Sequence, residues 1–197
     1  ELDWVAGYDS WYKTELAKRK YDFVIGSVHG LMKDGKFISF WDDITEIIQL
    51  IKSLGGKKNY IKEYYNQIRL MINSELFDCL GHFDVIKMNN KDDLLFSESD
   101  SWYIEEIIKT LDLLKEKRMC LEINTRGILK MGEDKQYPSL WILKEAKARN
   151  IPITIGTDSH DYGQQEPYLT QAYNIAKQAG YKEIVIFKKR KPIKLTI

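Results

Sequence analysis

The chain has 197 residues, enough to bury a sizeable core, and it reads as a single domain over 1–197. With 44 % hydrophobic residues, 30 % charged residues and a formal net charge of +1, it resembles a globular protein, and the charge argues against an extended nucleic-acid surface while leaving room for a local basic patch. No signal peptide or membrane-spanning run is legible, and two cysteines, Cys79 and Cys120, read as buried reduced thiols, so the expected location is the cytoplasm.

Strand and helix signals then alternate along the chain. Residues 2–5 read as the stub of a strand, and 23–28 as a short β-branched one. Residues 43–54 carry Ile44, Ile47, Ile48 and Ile51 as a helical stripe, stopped by Gly55-Gly56. A second helix over 60–76 places Ile61, Tyr64, Tyr65, Ile68 and Ile72 on one face, and a strand over 78–83 follows. Residues 101–117 are helical through Ile104, Ile107, Ile108, Leu111 and Leu114, and 118–124 form a third strand. Ser139, after Pro138, caps a helix running to about residue 149, which Asn150-Ile151-Pro152 closes. A fourth strand spans 153–157. Leu169, Ala172, Tyr173, Ala176 and Ala179 mark the last helix, and 183–188 a fifth strand. The Lys188-Lys189-Arg190-Lys191 run reads as a solvated tail beyond it.

Strands separated by helices pair in parallel, because a parallel return needs a long crossover. Five or six such units are too few to close a barrel. The expected fold is an α/β barrel, incomplete at its amino end, whose open edge can pair with a partner or a second copy. An amino-terminal part is expected to be absent from the chain.

All three histidines end apolar runs: Ser27-Val28-His29, Leu80-Gly81-His82-Phe83-Asp84, and Gly156-Thr157-Asp158-Ser159-His160. Side chains at the carboxyl ends of parallel strands meet at one rim, where such folds place their sites. Asp158 and His160, two apart, can reach one cation such as zinc, manganese or iron. Asp84 is read either as a ligand or as the partner that orients His82. On the third strand Glu122 and Asn124 share a face. Glu122 reads as a buried structural carboxylate, while Arg126 offers a fork of donors either to phosphate oxygens or to a surface carboxylate. Trp41, Trp102 and Trp141 read as core or lid packing. Trp4, Tyr8, Trp11 and Tyr12 form an aromatic cluster that is packing or a pocket mouth.

Together these segments, with Glu1-Leu2-Asp3-Trp4 and Leu121-Glu122-Ile123-Asn124-Thr125, resemble the polymerase-and-histidinol-phosphatase (PHP) superfamily, and within it the histidinol-phosphatase branch. The resemblance implies a distorted (β/α)7 barrel with up to three divalent metal ions at its carboxyl rim. It implies that Glu1, His29 and His82 serve the second metal, with Glu1 bridging to the first. Asp158 is then a ligand of the first metal and His160 of the third. The family's opening His-x-His is not found in this chain.

The resemblance further implies a metal-dependent phosphomonoesterase that uses a metal-activated hydroxide on L-histidinol phosphate, in histidine biosynthesis. Arg126 would bind the phosphoryl oxygens, and Asp158 or a metal-bound water would protonate the leaving alkoxide. Two alternatives stand beside this reading: a nuclease-like relative from the same superfamily, and a non-catalytic metal-binding or interaction module.

Overall fold

Long crossovers bring five short strands together in parallel, in a computed structural model that describes residues 1–132, 135–163 and 168–197. In chain order the elements are β1 (Leu2–Asp3), α1 (Asp9–Ala17), β2 (Ile25–Ser27), β3 (Gly30–Lys33), β4 (Lys36–Ser39), α2 (Ile44–Ser53), α3 (Lys57–Ser74) and β5 (Cys79–Leu80). They continue with α4 (Ser101–Lys117), β6 (Cys120–Asn124), α5 (Arg126–Met131), α6 (Leu140–Ala148), β7 (Ile153–Gly156), α7 (Leu169–Gln178), β8 (Glu183–Lys188) and β9 (Lys191–Thr196). The parallel sheet has the order β1-β2-β5-β6-β7 and does not close into a barrel among the described residues. The predicted α/β class, with a parallel sheet open at its edges, therefore matches the structure.

The period-2 alternation of the strands decides what each sheet face carries. On one face Leu80, Leu121 and Ile123 join the main core, packed with Ile61, Tyr65 and Ile68 of α3, Ile107 and Leu111 of α4, Ile142 of α6 and Ala172 of α7. On the other face Cys79 and Cys120 pack with Val185 of β8, flanked by Phe23, Ile25 and Phe187. Both thiols are free and buried, as expected. The alternation that sends the cysteines to this inner face also sends Glu122 and Asn124 there, towards the carboxyl end of the sheet. Register then aligns neighbours: Asp3 lies beside Ser27, and Glu122 beside Thr154.

Two hairpins lie outside the predicted series. β3 and β4 pair antiparallel across Asp34-Gly35, both with positive φ (49° and 80°), as a two-residue turn of the primed type demands. The Asp-Gly dipeptide is the sequence signal for it.

The second hairpin corrects two expectations. β8 is not a further parallel strand, and the basic run is not a tail. Lys189 and Arg190 adopt φ of 50° and 62° and turn the chain back into β9, antiparallel to β8. Partners hold that turn in place. Arg190 Nε donates to both carboxylate oxygens of Asp78 at 3.0 Å, and Nη2 donates to the Leu76 carbonyl.

Candidate metal centre

The strand ends of the inner face meet at one rim. Three donor atoms converge there from three elements: Glu1 Oε1 immediately before β1, His29 Nε2 just beyond β2 and His82 Nε2 just beyond β5. The two imidazole nitrogens stand 3.0 Å apart, and Glu1 Oε1 lies 3.1 Å from His82 Nε2 and 3.4 Å from His29 Nε2. One shared proton cannot satisfy a triangle of two ring nitrogens and a carboxylate oxygen, whereas a cation can. Ligands on a tetrahedral zinc ion with bonds of about 2.0–2.1 Å are spaced by roughly 3.3–3.4 Å. The donor set and its spacing therefore fit a divalent ion of that size. This is the one such group of three among the described residues.

Neighbouring carboxylates fix two of these side chains. His29 Nδ1 meets Asp3 Oδ1 at 3.1 Å, so Asp3 sets the ring's orientation and directs its Nε2 lone pair into the triangle. Asp3 also accepts the His29 backbone N–H at 3.3 Å. The backbone N–H of His82 donates to Glu122 Oε2 at 3.0 Å, in a turn where His82 itself has a φ of 22°.

Glu122 is buried, and Asn124 Nδ2 donates to the same oxygen at 3.1 Å. Gly156 leaves room for it, and Gly81 leaves room chiefly for Ser27. A Cβ at Gly156 would stand 2.0 Å from Glu122 Oε1, and one at Gly81 would stand 2.3 Å from Ser27 Oγ. The expected structural role of Glu122 is thus given its object, the backbone of a candidate ligand. The roles of Asp3 and Asn124 were not legible in the sequence, because they depend on which strands become neighbours.

Burial alone would push the Glu1 carboxyl up. Hydrogen bonding and charge from His82, with smaller contributions from Ser27 and His29, outweigh it and hold the group at about 2. Burial alone would lower His82, but the hydrogen bond and charge of Glu1, then Glu122 and Asp158, raise it above the ordinary imidazole value. Glu122 is raised, chiefly by burial. The rim is therefore rich in negative charge and holds one buried imidazole that favours its cationic form, an arrangement suited to exchanging a proton for a metal ion.

The remaining predicted site residues form a second group on the same rim. Asp158 Oδ1 pairs with His160 Nε2 at 3.1 Å, and Asp158 Oδ2 lies 3.3 Å from Asn124 Nδ2. Asn124 thus links Asp158 to Glu122 and, through it, to His82. The His160 side chain is 65 % exposed and stands outside the three-donor cluster. Arg126 Nη1 donates to the Asp158 backbone carbonyl at 2.8 Å, and its own N–H donates to Asn124 Oδ1.

Asp84 lies outside the three-donor cluster. It is fully buried, with Oδ2 accepting from Lys87 Nζ at 2.8 Å and from the Ser139 backbone N–H at 3.0 Å. Ser139 stands at the amino end of α6 as expected, but its hydroxyl contacts Asp84 and Glu98 instead of capping the helix. Of the predicted aromatic cluster, Trp4 and Tyr12 stack in the core, while Tyr8 and Trp11 line an open apolar groove of about 540 Å³ with Met32 and Phe37.

Comparison with known proteins agrees with this geometry. Residues 1–126 match the PHP domain. The chain is 30 % identical over 147 residues to the histidinol-phosphatase of Bacillus subtilis (strain 168), covering 72 % of this chain and 54 % of that protein. It is 27 % identical over 188 residues to the histidinol-phosphatase of Lactococcus lactis subsp. lactis (strain IL1403), covering 92 % of this chain and 65 % of that protein. It therefore spans between half and two thirds of the length of these curated relatives. The crystal structure of histidinol phosphate phosphatase from Lactococcus lactis subsp. lactis Il1403, complexed with zinc, L-histidinol and phosphate, superimposes with a TM-score of 0.73 at 24 % identity, covering 98 % of this chain and 70 % of that one. By its motifs, its parallel sheet and the match of its first 126 residues, the chain belongs to the PHP domain family.

Proposed function

We propose that the protein is a metal-dependent phosphomonoesterase acting on L-histidinol phosphate, with Glu1, His29 and His82 as metal ligands. The triangle of two imidazole nitrogens and one carboxylate oxygen, 3.0–3.4 Å on a side, carries this reading. Similarity to histidinol-phosphatases supports the choice of substrate.

When bound, the divalent ion lowers the pKa of water and supplies a hydroxide nucleophile near neutral pH. The chain's own residues do the rest. Asp3 keeps the lone pair of His29 directed at the site, and Glu122 fixes the turn that carries His82. Arg126, anchored on the Asp158 carbonyl, holds its guanidinium at the rim, where it pairs with phosphoryl oxygens and offsets their charge. Asp158 would take the proton given up by the attacking water and pass it to the alkoxide as the bond from phosphorus to the ester oxygen breaks. Asp158 and His160 would hold further ions beside this site.

The test is release of inorganic phosphate from L-histidinol phosphate by the full chain, with zinc or manganese added after chelation. The expected result is metal-supported release that H82N lowers by about a hundredfold. Metal uptake with no phosphate release would replace this reading with the non-catalytic metal-binding module. One observation favours that alternative: a single three-donor cluster among the described residues. Metal-supported cleavage of single-stranded DNA in place of the monoester would favour the nuclease-like relative.

A further inference from the structure

Trp41 follows β4 and stands beside the candidate centre. Its indole lies 5.3 Å from the His29 ring, centroid to centroid, with the planes inclined at 44°. Of the two expected roles, core or lid packing, the first does not hold, for 49 % of its surface is exposed. An exposed indole against a polar site is informative where a lone surface aromatic would not be.

The segment that carries it is fixed from several sides. The Phe40 N–H donates to the His29 carbonyl at 2.9 Å, the Trp41 N–H donates to Ser39 Oγ at 3.2 Å, and the Phe40 side chain is fully buried. The ring is thus held in register with His29 while much of its surface stays open to solvent.

Carboxylates adjoin it in the chain and at the site. Asp42 and Asp43 follow directly and are exposed, and Asp3 and Glu1 both pair with the His29 ring that Trp41 meets. Lys36, at the start of β4, pairs with Glu46 of α2 at 2.7 Å. An aromatic face flanked by carboxylates selects a cation, because the ring quadrupole and the negative field act together.

We propose that Trp41 is a specificity residue of this site, taking the positively charged organic part of the phosphate ester against its indole face. The proposal rests on the phosphomonoesterase reading and assigns the side of the site on which the leaving group lies. A neutral or acidic leaving group would gain nothing from this wall.

The test uses the full chain, loaded with zinc, and three probes in calorimetric titrations: L-histidinol, glycerol and inorganic phosphate. The expected result is that L-histidinol binds and glycerol does not. W41L weakens L-histidinol about tenfold, whereas W41F stays within roughly threefold of the parent. Bound metal and phosphate affinity stay unchanged in both variants. Equal binding of L-histidinol by the parent and W41L overturns the proposal. So does loss of metal in W41L, which would make Trp41 a support for His29 only. Failure of the parent to bind L-histidinol, with metal uptake and phosphate release intact, also overturns it and leaves the phosphomonoesterase reading standing. Absent metal uptake would instead strike at that reading.

Discussion

Glu122 shows how much of this centre rests on side chains that touch no ligand. Its oxygens are accommodated by the missing Cβ of Gly156 and are used by the His82 N–H and Asn124. G156A places a methyl group into that carboxylate and is expected to destabilise the protein by about 1–3 kcal/mol in urea unfolding. It should also weaken metal uptake, since the His82 turn loses its anchor. Asp3 acts on His29 in the same indirect way. D3N is expected to weaken metal affinity by about ten- to a hundredfold while leaving the unfolding midpoint of the chelated protein near the parent value, as competition with a chromogenic chelator can read.

His82 gives the pH dependence. Its folded value is raised above the ordinary 6.5. Its contribution to stability is therefore full below that value and fades as pH climbs through the folded one. Without metal, the advantage of the parent over H82N in melting temperature should shrink between about pH 6 and pH 8. With metal the sign reverses, because binding requires the neutral ring and releases a proton. The histidines were legible in the sequence because each closes an apolar run. The partners of His29 and His82 were not, since Asp3 and Glu122 meet them only once the order of the strands is settled.

At the scale of elements, the long helices were the most legible. The predicted bounds of 101–117 coincide with α4, whose apolar stripe repeats at helical spacing over four turns. Two strands of the sheet are much shorter than their apolar runs suggest: β2 retains Ile25–Ser27 of the predicted 23–28 and β5 only Cys79–Leu80 of the predicted 78–83, whereas β7 ends within one residue of its predicted bounds. Beyond Leu80 the chain turns through Gly81 and His82 to present the site. The β8–β9 turn, Lys189-Arg190, carries charged residues that also suit a surface loop, whereas Asp34-Gly35 does signal the β3–β4 hairpin. One contact between elements invites a direct test. Arg69 of α3 meets Glu106 of α4 at 2.7 Å, and each side chain is only 12 % exposed. R69M strands Glu106 in the helix interface and is expected to cost about 3 kcal/mol, while R69M combined with E106L recovers most of that loss. Equilibrium denaturation of the two variants and the parent decides the matter.

For the whole molecule, a parallel sheet with its inner face apolar below and acidic above places every candidate ligand at one rim. Glu1, His29 and His82 come from positions far apart in the chain, so their convergence is a product of the fold and not of a local motif. The class of fold could be read from the alternation of strand and helix signals. The departure of β8 into its own hairpin could not, since a half-buried strand has the same pattern in either setting.

The central claim is that these three side chains hold a divalent ion, and zinc titration of the chelated full chain by calorimetry, with H29A and H82N in parallel, tests it most directly. The expected result is saturable zinc binding by the parent, with a site lost in each variant and a proton released on binding. Zinc binding that is absent in the parent, or that survives unchanged in both variants, would contradict it.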